Sequence, residues 1–275
     1  MSNLVQRSIT GILFVVLLVG ATVWNQWSFV VMFMLITSIS LWEFYKITEQ
    51  QKIFPQKIYG ILLGLAVFLS CNQYLSNGHN PTFLIAIVPL LFLIFIFELY
   101  RKSDNPFSNI SFTIIGLLLI AVPFAALNYL AFGRDGQYQS EMLIGYFLLL
   151  WTNDTAAYFI GSKFGEHRLF ERISPKKSWE GFWSGFVFNL LIAYVISQYI
   201  NTLNLYQWLT MAVIVTVAGT YGDLVESSFK RSINYKDSGN ILPGHGGILD
   251  RFDSLLLSAP FVAVYLYVIN NYDLL

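Results

Sequence analysis

The chain has 275 residues, of which 56% are hydrophobic and only 12% charged, with a mean hydropathy of +0.59. A soluble domain carries about 25% charged residues, and a water-soluble fold of this length cannot hide so much apolar surface in one core. The 16 basic and 16 acidic residues cancel, so no global field draws the chain to nucleic acid. The single cysteine, Cys71, excludes an intrachain disulfide and a CxxC zinc site. His79, His167 and His245 are too scattered for a metal cluster.

A bilayer span needs about 20 mostly apolar residues. In chain order the predicted spans are Ile9–Trp24, Phe29–Tyr45, Ile58–Leu75, Pro81–Tyr100, Ile110–Ala131, Met142–Ile160, Phe182–Ile200, Trp208–Tyr221 and Leu255–Ile269. Arg7 ahead of the first run resembles a signal peptide, but Val23–Trp27 offers no small-residue cleavage site, so an uncleaved span is expected. Asn25–Ser28 is then a tight hairpin to the second span. Long continuous apolar runs fit helices, whereas barrel strands alternate over roughly 10 residues. A helix also satisfies its own backbone polar groups in lipid. The expectation is an all-α polytopic membrane protein of about nine transmembrane helices. It divides into residues 1–140, with about five spans, and residues 141–275, with two polar loops at 161–181 and 222–254.

Charge placement orients the chain. With the N-terminus inside, 15 of the 16 Lys and Arg residues fall on cytoplasmic segments, and Arg134 alone lies outside. The positive-inside rule therefore predicts N-in and C-out.

The two loops hold 9 of the 16 basic residues. In the second, Asp223, Glu226, Asp237, Asp250 and Asp253 alternate with Lys230, Arg231, Lys236 and Arg251, around the turn Pro243-Gly244-His245-Gly246-Gly247. Basic residues alone suit anionic headgroups. Acids beside them suit a hard cation that bridges phosphates, with Lys and Arg neutralising the remaining charge. Its first part is expected to continue span eight as a helix, which puts Asp223 and Glu226 on one face, and Glu226 with Lys230. Exposed amides of a glycine turn can hold an anion, but no Walker A pattern occurs. Ahead of the first loop, Asn153-Asp154 lies inside span six, with Asp154 about 10 Å from the helix end at 1.5 Å per residue. An intramembrane carboxylate is costly and points to function, the alternative being an interhelical polar contact. Ser174-Pro175-Lys176-Lys177-Ser178 adds adjacent cations and hydroxyls: a membrane-surface anchor, or a phosphate site if the acids are near.

Ser228-Phe-Lys230-Arg231, then Lys236-Asp237, then Pro243-Gly-His245-Gly-Gly-Ile-Leu-Asp250-Arg251-Phe-Asp253 resembles the signature of the phosphatidate cytidylyltransferases, or CDP-diacylglycerol synthases. Asn153-Asp154-Thr-Ala-Ala-Tyr158, Gly161, Phe164-Gly165 and Ser174–Gly181 resemble a second stretch of that family. The resemblance implies nine helices, a homodimer, and Mg²⁺ held by Asp223 and Asp250, with room for a second cation such as K⁺; Asp154 and Asp253 are further candidates. It implies CTP and phosphatidate as substrates, in a bacterial cytoplasmic membrane. Lys230, Arg231, Lys236 and Arg251 are then phosphate contacts, Ser174, Lys176, Lys177 and Ser228 candidate substrate-binding residues, and His245 a proton carrier or a turn stabiliser. Rival expectations are a CTP-dependent polyprenol kinase and, outside enzymes, a transporter. A CDP-alcohol phosphatidyltransferase is disfavoured because its DGxxAR…GxxxDxxxD pattern is absent.

Overall fold

The computed structural model describes residues 3–133, 136–235, 238–239 and 246–272, with side chains described between residues 9 and 271. The fold is that of an all-α polytopic membrane protein, and among the described residues seven helices are long and apolar enough to cross a bilayer. The helices are α1 (Asn3–Trp24), α2 (Gln26–Thr48), α3 (Lys57–Ser76), α4 (Thr82–Arg101), α5 (Pro106–Gly116), α6 (Val122–Ala131), α7 (Ser140–Phe164), α8 (Trp179–Tyr199), α9 (Leu205–Ser232) and α10 (Asp253–Tyr272). A π turn at Leu117–Ala121 joins α5 and α6 into one span, just before Pro123. Proline lacks a donor for the preceding turn, and a π turn absorbs that break. The apolar part of α1, Ile9–Trp24, is shorter than the seven. Helix α7 is outside them too, because Thr152-Asn153-Asp154-Thr155 interrupts its apolar run.

The chain forms two compact units. The first comprises residues 1–138 and 232–252, and the second 139–231 and 253–275. In the first, the expected hairpin at Asn25 is built by reciprocal capping. The Asn25 side chain accepts from the amides of Trp27 and Ser28, and Ser28 Oγ accepts from the Asn25 amide at 3.1 Å. Such a cap satisfies amides that a helix start leaves orphaned. The core is aromatic: Phe29, Phe33, Tyr45, Phe68 and Phe124 are fully buried. Tyr45 Oη donates to the Thr113 carbonyl at 2.9 Å. Its ring threads between Gly60 and Gly116, where a Cβ would come within 2.6 Å and 2.5 Å of it. Buried Glu98 accepts from Gln56, Arg101, Ser103 and Asn109 and knits the α4–α5 corner. Phe252 packs edge-on against Phe14 and Phe124, which seats the 232–252 segment in this unit.

In the second unit α7 and α8 pack through small residues. A Cβ at Gly185 would lie 2.6 Å from Asn153 Oδ1, and one at Gly181 would lie 2.8 Å from the Ala157 carbonyl. Close backbone approach of this kind is how membrane helices associate without a hydrophobic driving force. Gly145 similarly makes room for the fully buried Trp208 of α9. Between α7 and α8 the expected polar loop is largely a two-stranded antiparallel hairpin, β1 (Arg168–Phe170) and β2 (Ser174–Ser178). The expected helical continuation after Tyr221 is present, since α9 runs on to Ser232.

Candidate active site

The hairpin is tied to the start of α8. The Trp179 amide donates to the His167 carbonyl at 2.9 Å, and His167 Nδ1 lies 2.6 Å from Glu180 Oε1. His167 is exposed, and the hydrogen bond and charge of Glu180 hold its imidazole above the usual range. Ser178 caps α8 through the Gly181 amide, 3.2 Å away. A β-strand sends successive side chains to opposite faces, so Ser178 is buried at the cap while Lys177 stays partly accessible. Lys177 Nζ meets Asp223 Oδ2 of α9 at 2.6 Å, and Ser227 Oγ donates to Asp223 Oδ1 at 3.0 Å. Both side chains of the ion pair remain 26% accessible. Ser174 is half-buried on the same strand, and Lys176 is exposed.

Next to this pair stand two more acids. Asp154 of α7 is an exposed residue, and Asp253 opens α10. Ser254 links them: its hydroxyl lies 3.2 Å from Asp154 Oδ1, and its amide donates to Asp253 Oδ1 at 2.7 Å. Asp253 is within Coulombic reach of Asp223, Asp154 and Glu226. Asp154 thus contacts α10 through Ser254 and stands near the other acids of this unit. Its neighbour Asn153 is buried against Gly185 and reaches Asp154 only at 3.4 Å. Helix α9 passes α10 at Gly222, where a Cβ would lie 2.6 Å from the Asp253 carbonyl. Lys230, expected at a phosphate, is mostly buried and forms an i,i+4 pair with Glu226 at 2.6 Å. Ser228 is half-buried and Arg231 exposed on the same helix. An apolar groove of about 370 Å³ runs along α7 and α8, lined by residues including Leu148, Trp151, Thr155, Phe159 and Phe188.

Asp250 belongs to the first unit. It sits in the 3₁₀ turn Leu249–Arg251 and is buried, with Arg251 exposed beside it. Its carboxylate accepts from the amides of Ser238, at 3.0 Å, and Gly247, at 2.8 Å. The turn is held in place by a residue that the sequence reading passed over. Glu43 of α2 is buried, and its two oxygens accept from the consecutive amides of Ile248, at 3.1 Å, and Leu249, at 2.9 Å. One signal was available: an acid inside an apolar run, the criterion that singled out Asp154. Lys236 and His245 lie outside the described residues, as does Arg134.

Among the described residues no three His, Cys, Asp or Glu side chains converge as a ready metal cage. That still fits Mg²⁺, which commonly takes one or two carboxylates and completes its shell with water and substrate phosphates. Two observations favour the fit: the donors are hard carboxylates, and Ser238 Oγ, beside Asp250, is buried without a hydrogen-bond partner among the described residues.

An acidic group drawn from three helices thus stands against a basic hairpin. Residues 5–269 match the model of the cytidylyltransferase family. The chain belongs to that family and is a nucleotidyl-transferring enzyme. It is 32% identical over 267 residues to the phosphatidate cytidylyltransferase of Bacillus subtilis, covering 95% of this chain and 97% of that one. It is 33% identical over 213 residues to the phosphatidate cytidylyltransferase of Staphylococcus haemolyticus, covering 75% and 78% of the two chains. The phosphatidate cytidylyltransferase of Staphylococcus aureus strain COL is 33% identical over 182 residues, which are 66% of this chain and 68% of that one.

Proposed function

We propose that this enzyme transfers the cytidylyl group of CTP to phosphatidate, giving CDP-diacylglycerol and diphosphate, at the cytoplasmic face of a bacterial cytoplasmic membrane. The observation that carries the reading is the Lys177–Asp223 pair beside the Asp154–Ser254–Asp253 group, drawn from helices α7, α9 and α10. A phosphate oxygen of phosphatidate attacks the α-phosphorus of CTP, the α–β P–O bond breaks, and diphosphate leaves with its electron pair. Such transfers depend chiefly on positioning and charge neutralisation, and a lipid phosphate largely ionised near neutral pH needs no strong general base.

Asp223 and Asp250 are proposed to hold Mg²⁺, with Asp154 and Asp253 as further donors; K⁺ is the proposed second cation. A bound divalent ion supplies stabilisation of the charge that builds on the phosphate oxygens. Lys177, paired with Asp223, is proposed to exchange that contact for a substrate phosphate, with Lys176 and Ser174 on the same strand as further substrate contacts. Arg231, Arg251, Lys236 and Ser228 are proposed as further phosphate contacts. Lys230 serves first as the counter-charge of Glu226. The apolar groove on α7 and α8 supports sideways entry of the acyl chains. The charge asymmetry of 15 of 16 basic residues supports N-in and C-out. A homodimer is proposed on the family resemblance.

The test uses detergent-purified protein, phosphatidate, Mg²⁺ and CTP labelled at the α-phosphorus. Label in a lipid product, with diphosphate released and the signal abolished by a chelator, is the expected result. Absence of labelled lipid across several phosphatidate species, with γ-label transferred to a polyprenol instead, would replace this reading with a lipid kinase.

A further inference from the structure

Glu43 spends a buried carboxylate on backbone alone. Both oxygens are engaged, one with the Ile248 amide and one with the Leu249 amide, at the start of the 3₁₀ turn that carries Asp250. Anions are favoured at such a start, where successive amides point outward without internal partners. The two neighbouring glycines close the fit. A Cβ on Gly247 would come within 2.6 Å of Glu43 Oε2, and one on Gly239 within 2.8 Å of Glu43 Cδ. Gly247 in turn donates its amide to Asp250, as does Ser238. Glu43 and Asp250 therefore grip the same turn at adjacent amides: Gly247 to Asp250, Ile248 and Leu249 to Glu43.

We propose that Glu43 is a positioning residue for the enzyme's metal site, clamping the Gly246–Asp250 turn so that the Asp250 carboxylate is held ready for a divalent cation. The inference rests on the reading of Asp250 as a metal ligand. Glu43 touches no substrate; it acts through the turn. A glutamine at 43 keeps size and shape but has one acceptor oxygen, so its amide group would face a backbone N–H and one of the two bonds is lost. Partners that orient a metal ligand typically contribute about 10- to 100-fold in metal affinity.

The experiment measures Mn²⁺ binding to the full-length protein in detergent by electron paramagnetic resonance, without substrates, for wild type, Glu43→Gln and Asp250→Asn. Amide exchange across residues 246–252 is followed in parallel. Expected is binding weakened by at least about tenfold in Glu43→Gln, faster exchange at Ile248 and Leu249, and restoration of turnover by raised metal concentration, which a merely structural defect would not give. If Asp250→Asn loses Mn²⁺ while Glu43→Gln binds it like wild type, the Glu43 proposal is overturned and the reading of Asp250 stands. If Asp250→Asn itself binds like wild type, the reading of Asp250 fails, and the Glu43 proposal with it. Should Glu43→Gln not be recovered folded, Glu43→Asp is read in the same assay. It keeps the charge and shortens the reach by one methylene, and wild-type affinity and exchange there overturn the proposal.

Discussion

Replacing Gly222 with alanine tests the acidic group through its scaffold. The new Cβ would stand 2.6 Å from the Asp253 carbonyl oxygen, 3.3 Å from that of Ser254 and 3.4 Å from the Leu257 amide nitrogen. All three are backbone atoms of α10, so no side chain can swing aside. Restoring an ordinary contact of about 3.4 Å requires α9 and α10 to part by roughly 0.8 Å. Overpacking of this sort costs about 1–3 kcal/mol. Because Asp223 follows Gly222 directly and Asp253 is the residue struck, the displacement falls on the two acids themselves. A misplacement near 1 Å can cost about 100-fold in rate. Gly219, one turn earlier on the same face of α9, is the control: its Cβ would meet nothing nearer than Ser254 Cβ at 3.5 Å. There alanine should be tolerated, and it gains up to about 1 kcal/mol of helix propensity. Cytidylyl transfer and thermal unfolding, measured on both variants in one detergent, give the answer. Gly222→Ala should lose about 10- to 100-fold in turnover and melt lower, while Gly219→Ala stays near wild type. Equal activity and equal melting in the two variants would refute the packing argument.

Asp250→Asn should abolish turnover with the protein still inserted in the membrane; near-normal turnover would remove Asp250 from the proposed metal ligands. Lys177→Met strips Asp223 of its counter-charge and should cost about 10- to 100-fold in kcat/KM, the equivalent of about 1.5–3 kcal/mol for a hydrogen bond to a charged group. Lys177→Arg should recover part of the loss, and a Lys177→Met enzyme as active as wild type would exclude the lysine from phosphate handling. The His167–Glu180 contact should loosen with alkali. Its partner raises the folded pKa of His167 above 6.5, so the hairpin's added stability is complete below about 6.5 and is lost as pH rises through the raised value. Limited proteolysis of the hairpin against pH should show this step, and His167→Gln should flatten it.

Seven of the nine expected spans match helices long and apolar enough to cross a bilayer among the described residues, legible because each is a long apolar run; the expected spans at Ile9–Trp24 and Met142–Ile160 lie on helices that are not among the seven. The Asn25 hairpin was legible too, from the four residues left between two such runs. Other features depend on contacts between distant residues. Strands as short as Arg168–Phe170 carry no periodicity, so the hairpin was hidden in what reads as a polar loop. Lys230 reads as a phosphate ligand by its neighbours, yet helical spacing delivers it to Glu226 first, a pairing the sequence did place on one face. Glu43 could have been noticed as an acid inside an apolar run, but its partners, backbone amides more than 200 residues away, are announced by no side-chain pattern. Asp154 stood out in the sequence as an acid in an apolar run, and the structure sets it near Asp253 through Ser254.

Lys177 and Ser178 are consecutive on β2, yet one grips Asp223 and the other the first turn of α8. The strand thus carries an ion-pair contact at one residue and a helix cap at the next. If a substrate phosphate drew Lys177 off Asp223, as proposed, it would pull, through a single peptide bond, on the residue that caps the start of α8. Substrate arrival would then be registered as tension in the bundle as well as a change of partner for one lysine.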